Sequence, residues 1–305
     1  MGKIAFVFSG QGAQYGGMGQ DLYRNNAAAA EVFESAEKLR PGTIEQCFSG
    51  SEEELARTVN TQPCLFAMEM AAAAAVSEAG VKPCMAAGFS LGELAALTYS
   101  GVLGFEEGFR LVCLRAELMQ ADAEKTDGAM AAVLRLSSEA VERLCNRYKH
   151  VYPVNYNCPG QITVSGLKPE LESFAKDVRN EGGRTIMLKV KGCYHTPFME
   201  NASKNFLSAA EKTDMGEPGI TLYSNFTGLP YEGSCAELLS KQICSPVRWE
   251  SIVAHMIGSG ADTFIELGPG RTLCGMINKT DPNVRTLNVE DMDSLRRAVK
   301  EVIMC

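Results

Sequence analysis

Unbroken apolar runs of strand length alternate along this chain with longer segments of helical period, a pattern that predicts an α/β fold on a buried parallel sheet. Ile4 to Phe8 is the first such run. The polar, glycine-rich stretch Ser9 to Gly17 follows at once, at the strand end where open α/β sheets gather ligand-binding groups. Residues 20–80 read as mostly helical. In them Ser51 precedes the acidic first turn Glu52-Glu53-Glu54, and Cys64 to Ala79 forms an alanine-rich, largely buried helix. Pro83 to Ala87 is the next strand. It runs into Gly88-Phe89-Ser90-Leu91-Gly92-Glu93 and then into the helical Leu94-Ala95-Ala96-Leu97, so the chain must turn sharply at Ser90. Another helix is expected over Glu106 to Ala123.

From Gly128 to Lys191 the pattern becomes a compact βαββαβ unit. Strands are expected at Ala129–Leu134, Val151–Tyr156, Gln161–Gly166 and Thr185–Val190, and helices at Ser138–Tyr148 and Pro169–Glu181. Asn157-Cys158-Pro159-Gly160 supplies a hairpin turn and Gly182-Gly183 follows the second helix. That order is a split βαβ, ferredoxin-like unit. After Gly192 the α/β pattern resumes, with strands at Ile220–Ser224 and Thr263–Glu266 and a Gly268-Pro269-Gly270 turn before a helix. The expected organisation is a discontinuous large domain, 1–127 and 192–305, with a small domain, 128–191, inserted in it.

Composition narrows the class. With 305 residues and 46% hydrophobic content the chain is long enough for one large core and a smaller module. Glu69, Lys82 and Glu93 interrupt the richest apolar region, so no run has the length a membrane span needs. Met1 leads almost directly into the first strand with no signal-peptide pattern, and a cytoplasmic location is expected. The eleven cysteines, from Cys47 to Cys305, lack any Cys-x-x-Cys pair, which argues against disulfides and a zinc site; most of them are expected to pack as small hydrophobes. A net charge of -8 argues against nucleic acid as partner. No dimer motif stands out, so a monomer is the default.

The chemistry converges on Ser90. In a Gly-x-Ser-x-Gly elbow the glycines remove Cβ atoms that would collide as the chain folds back, and the following helix aims its N-terminal amides at a developing oxyanion. The Ser9 to Gly17 loop fits neither a dinucleotide fingerprint, since Tyr15 stands at the third glycine, nor a phosphate loop. A serine hydroxyl needs a base. Among three histidines, His150 lies beside Arg147 and Lys149 and reads as surface, and His255 sits in an amphipathic helix and reads as structural. His195, in Gly192-Cys193-Tyr194-His195-Thr196-Pro197, is the best base by elimination. Asp122, Asp127 and Asp177 suit a third triad member poorly; a dyad with a backbone group orienting the histidine fits better. Arg110 has Glu106 and Glu107 for neighbours and reads as solvated. Arg115 instead has Leu111, Val112, Leu118 and Met119 one turn away, and a cation in an apolar stripe calls for a negative partner.

Six motifs in fixed order extend the picture: Gly10-Gln11-Gly12-Ala13-Gln14, the Ser90 elbow, Arg115 in its helix, His195-Thr196-Pro197-Phe198-Met199, Gln242-Ile243-Cys244-Ser245-Pro246-Val247-Arg248-Trp249, and Glu266-Leu267-Gly268-Pro269-Gly270. In these the chain resembles the malonyl-CoA:acyl carrier protein transacylases of bacterial fatty acid synthesis, a family that includes polyketide synthase acyltransferase domains. The resemblance implies an α/β-hydrolase-like large domain with a ferredoxin-like insert. It also implies that Ser90 and His195 are catalytic, Gln11 and the Leu91 N–H form the oxyanion hole, Arg115 clamps the malonyl carboxylate, and Gln242 helps place His195 and the acyl group. No permanent cofactor is implied; malonyl-CoA is a substrate, and the acidic acyl carrier protein with its phosphopantetheine is the partner. Lys189 and Lys191 are candidates for a basic rim that meets it. The chain departs from the family in having Phe89 where histidine is usual. Tyr194 stands where phenylalanine is common, and its ring is expected to favour malonyl over methylmalonyl. The alternatives are a free-standing acyltransferase serving a polyketide synthase and a serine hydrolase, against which the buried Arg115 speaks.

Overall fold

The structure, a computed structural model, describes residues 2–303; Met1 and the Cys305 thiol, on which expectations fell, lie outside the described residues. Its strands are β1 (Lys3–Phe8), β2 (Met85–Gly88), β3 (Gly128–Leu134), β4 (Val151–Cys158), β5 (Gln161–Leu167), β6 (Arg184–Lys191), β7 (Thr221–Leu222), β8 (Ala261–Leu267) and β9 (Arg285–Val289). They form two sheets. The first has the order β7-β2-β1-β8-β9, and every pairing in it is parallel. Helices cover it on both sides, which is why β1 and β2 are apolar without alternation. The second has the order β4-β5-β3-β6, and every pairing is antiparallel.

In the first sheet the chain leaves β1 for β2 on one side, while β8 and β9 fill the other. The crevice at the carboxyl ends of such a centre is the natural place for a site. β1 delivers the Ser9–Gly17 loop there, and β2 delivers Ser90. The helix Gly92–Tyr99 leaves from the same point and is buried along almost its whole length. The second sheet keeps its own core, in which Val141, Leu144, Leu171 and Phe174 from its two helices pack on Ala131, Val133, Ile162 and Val164. Its edge strand β6 brings Leu188 and Val190 to the mouth of the crevice.

Three elements differ from the expectations. The helix expected from Cys64 begins six residues earlier, at Thr58, with Pro63 inside it. A proline in the second turn forfeits one backbone hydrogen bond, and the burial of nearly every residue from Thr61 to Ala73 outweighs that loss. β9 was not expected; only its last three residues are buried, so its apolar run is short. The helix expected over Ser138–Tyr148 ends at Cys145.

Candidate active site

Two glycines make the turn at Ser90 possible. A Cβ on Gly88 would lie 1.8 Å from the Gly92 carbonyl carbon, and one on Gly92 would lie 2.4 Å from the carbonyl oxygens of Phe8 and Ser9. Ser90 itself sits at φ 54, in the left-handed region that costs a non-glycine residue of order 1 kcal/mol. That conformation is held from outside the turn: the Ser90 N–H donates to Asn225 Oδ1 at 2.7 Å, and Asn225 Nδ2 donates to the Gly88 carbonyl at 2.7 Å.

His195 meets Ser90 across this turn. Its Nε2 lies 2.8 Å from Ser90 Oγ, and its Nδ1 lies 2.8 Å from the backbone carbonyl of Gln242. A carbonyl only accepts, so Nδ1 carries the proton and Nε2 is left free to accept the serine hydroxyl's. Burial, and then the Arg115 charge, hold the His195 pKa down to about 4, which keeps the ring neutral near pH 7. His195 also has a positive φ, 59, so the loop after β6 is bent to present it. Asp122 is buried but elsewhere, where it accepts from the Ala202 N–H and from Lys125. The orienting group is a backbone carbonyl. His150 is half-buried rather than fully exposed and bonds Glu170, while His255 is exposed and bonds the Ser251 carbonyl.

Arg115 is 2% exposed. No carboxylate contacts it among the described residues; glutamine carbonyls hold it instead. Nη1 donates to Gln62 Oε1 at 2.6 Å and Nη2 to Gln242 Oε1 at 2.8 Å, and Nη2 also lies 3.2 Å from Ser90 Oγ. With so little hydration its pKa falls to about 10, and it stays a cation at neutral pH. A buried cation held by neutral acceptors, beside a serine hydroxyl paired with a histidine, is arranged to receive an anion. Arg110, as expected, bonds Glu106 at the surface.

Gln62 starts a relay that reaches the first loop. Gln62 Nε2 donates to Thr58 Oγ1 at 2.9 Å, and Thr58 Oγ1 donates to Gln11 Oε1 at 2.8 Å. The Gln11 carbonyl is thereby occupied, and its side chain lines the same pocket as Ser90 and Leu91. The Leu91 N–H, first in line on the helix after Ser90, makes no backbone hydrogen bond among the described residues. Gln242 is the hub. Besides its contacts to Arg115 and His195, its Nε2 donates to the Ser90 carbonyl at 2.6 Å and to Glu93 Oε2 at 2.8 Å.

Gln11, Gln62, Ser90, Leu91, Arg115 and His195 line a small inner pocket of about 80 Å³, together with Met119, Met130 and Tyr194. It shares Gln11, Phe89, Asn155, Leu188 and Val190 with an outer cleft of about 650 Å³ that runs between the two sheets. Phe89 stands at the junction, edge-on to Trp249 at 5.6 Å between centroids, so the wall there is apolar. Lys189 and Lys191 are exposed on β6, but Lys189 reaches across to Glu52, 2.7 Å away, which compensates its charge. No cluster of His, Cys, Asp or Glu among the described residues is placed to hold a metal ion. Gln62, Asn225, Glu93 and Tyr231 escaped the sequence reading; only Glu93, inside the elbow motif, carried a local signal.

Comparison with known proteins places the whole chain in one family. The family model described as acyl transferase domain matches residues 5–300. The malonyl CoA-acyl carrier protein transacylase of Bacillus subtilis is 35% identical over 98% of this chain and 97% of its own length. The structure of a malonyl CoA-acyl carrier protein transacylase from Clostridium perfringens superposes with a TM-score of 0.95 at 36% identity, over 99% of this chain and 98% of that one. A malonyl-transacylase solved in complex with a type II polyketide synthase acyl-carrier protein gives 0.94 at 32%, over 98% and 99%. The chain is an acyltransferase and belongs to the acyl transferase domain family.

Proposed function

We propose that the chain transfers the malonyl group of malonyl-CoA to the phosphopantetheine thiol of acyl carrier protein through an ester on Ser90, supplying extender units for fatty acid synthesis. The observation that carries this reading is Arg115, a buried guanidinium without a carboxylate partner among the described residues, 3.2 Å from the nucleophile. Malonyl-CoA is a thioester whose acyl group ends in such a carboxylate. The relatives named malonyl CoA-acyl carrier protein transacylase support the same substrates.

Ser90 Oγ attacks the thioester carbonyl while His195 Nε2 takes the hydroxyl proton. The Leu91 N–H and the Gln11 amide receive the oxyanion, each such donor being worth roughly 3 kcal/mol in acyl transfer. Collapse expels the coenzyme A thiolate, which takes the proton from His195. The carrier thiol then gives its proton to His195 and attacks the ester, and Ser90 regains its hydrogen. Gln62 and Gln242 occupy one Arg115 donor each, and the guanidinium has further N–H groups for the carboxylate.

The finer architecture belongs to the same reading: residues 1–127 and 192–305 as an α/β-hydrolase-like large domain and 128–191 as a ferredoxin-like insert. The separate core and the strand order β4-β5-β3-β6 support the second assignment. Tyr194, 8% exposed in the pocket wall, leaves little room for an α-methyl group. A basic rim at Lys189 and Lys191 for the carrier protein must displace the Glu52 contact. Offered malonyl-CoA and methylmalonyl-CoA together with a holo carrier protein, the enzyme is expected to yield malonyl-carrier protein with ping-pong kinetics, with little methylmalonyl-carrier protein and little free malonate. Free malonate as the main product overturns transfer in favour of hydrolysis.

A further inference from the structure

Glu93 is buried in the first turn of the helix that follows Ser90, with an exposure of 0%, and the mechanism above does not use it. Its Oε1 accepts the Asn225 N–H at 3.1 Å and the Tyr231 hydroxyl at 2.5 Å, and its Oε2 accepts Gln242 Nε2 at 2.8 Å. A buried carboxylate is costly unless such donors hold it. Two of these donors belong to residues that aim the reacting groups. Asn225 takes the Ser90 N–H on its side chain, and Gln242 takes His195 on its main chain.

The two edges of the Gln242 carboxamide are not interchangeable. Its nitrogen edge faces two acceptors, Glu93 Oε2 and the Ser90 carbonyl; its oxygen edge faces a donor, Arg115. Turning the amide over would set donor against donor at the guanidinium and oxygen against oxygen at both other contacts. Glu93 therefore dictates which edge Arg115 meets, and its negative charge reaches the guanidinium through one polarised amide.

We infer that Glu93 is a positioning residue which, through the Gln242 amide, sets the Arg115 fork for a carboxylate-bearing acyl group and so controls the preference for malonyl over uncharged acyl thioesters. This rests on the acyl-transfer reading given above. A glutamine at position 93 cannot accept on both edges, so one N–H would face either Asn225 N–H or Gln242 Nε2.

Ionisation of Glu93 gives the inference a second handle. Burial raises its carboxyl to about 7, against the opposing contacts from Tyr231, Asn225 and Gln242 and the charge of Arg115. The other titratable groups around it lie further from neutrality: His195 is lowered to about 4, Arg115 to about 10, and the Tyr231 phenol and Cys235 thiol are raised. Loss of the carboxylate as pH falls through about 7 should therefore weaken the malonyl preference. Taking the ratio of two acyl groups cancels the titration of His195, which serves both equally.

The test measures the rate of acyl-Ser90 formation from malonyl-CoA and from acetyl-CoA by quench and mass spectrometry, across pH. In Glu93→Gln the malonyl-to-acetyl ratio is expected to fall roughly ten- to a hundredfold and to lose its pH dependence. In Tyr231→Phe, which withdraws one donor from the carboxylate but leaves Gln242 in place, the midpoint of the ratio should move to higher pH. A Glu93→Gln protein that acetylates Ser90 and keeps the wild-type ratio overturns the inference. Should that variant not fold, an unmoved midpoint in Tyr231→Phe does the same. Wild-type protein that takes no malonyl group at all defeats the functional reading instead, a result visible before any variant is made.

Discussion

Arg115→Ala is expected to slow malonylation of Ser90 by roughly two to three orders of magnitude, while acetylation from acetyl-CoA slows by less than about tenfold. The asymmetry follows from what Arg115 touches. Its contacts to Gln62 and Gln242 do not depend on the substrate, and its contact to Ser90 Oγ is long, at 3.2 Å. Only a carboxylated acyl group gains a charge-assisted pair from the remaining N–H groups, in a pocket with little water to replace it. Some stability should be lost, about 1–3 kcal/mol for each glutamine carbonyl left unpaired. A melting curve separates that loss from the rate. Arg115→Lys should fall between, because a lysine keeps the charge without the fork. Equal slowing of both acyl groups would remove the clamp from the account.

His195→Ala should cut acylation by either thioester roughly 10²- to 10⁴-fold, the usual worth of a positioned general base. Its pH signature is more telling than its size. Because the His195 pKa is held down to about 4, acetylation of Ser90 in the intact enzyme should stay level as pH falls past 6.5, where an ordinary histidine gains its proton, and drop only towards 4. An acid limb at 6.5 would contradict the buried, neutral ring. Stability follows with the same sign. The unfolded chain binds the proton near 6.5 and the folded chain only near 4, so the fold loses stability as pH falls through that window.

How much of this was legible in the sequence depended on whether a residue's neighbours in the chain were also its neighbours in space. The Ser90 elbow was legible because Gly88 and Gly92 answer a steric demand within five residues. Arg115 stood out because helical spacing alone places it among apolar side chains. His195 emerged by elimination, and its carbonyl partner matched the expectation of a backbone orienter. The partners of Arg115 were not legible. Neutral amides carry no charge pattern, and Gln62 and Gln242 meet it from 53 and 127 residues away. Asn225 and Tyr231 are likewise ordinary polar residues until folding brings them to Glu93. The start of the helix expected from Cys64 was not legible either: it begins at Thr58, ahead of Pro63, which places Thr58 and Gln62 one turn apart between Gln11 and Arg115.

Ser90 is the point on which all of these claims depend, and one measurement addresses it directly. Protein mixed briefly with malonyl-CoA, quenched in acid and digested should give a peptide containing Ser90 with one malonyl group added, and this adduct should vanish when a holo carrier protein is supplied. Ser90→Ala should give no adduct. An unmodified Ser90 peptide in the wild-type protein, or a malonyl group that persists in Ser90→Ala, would contradict the account.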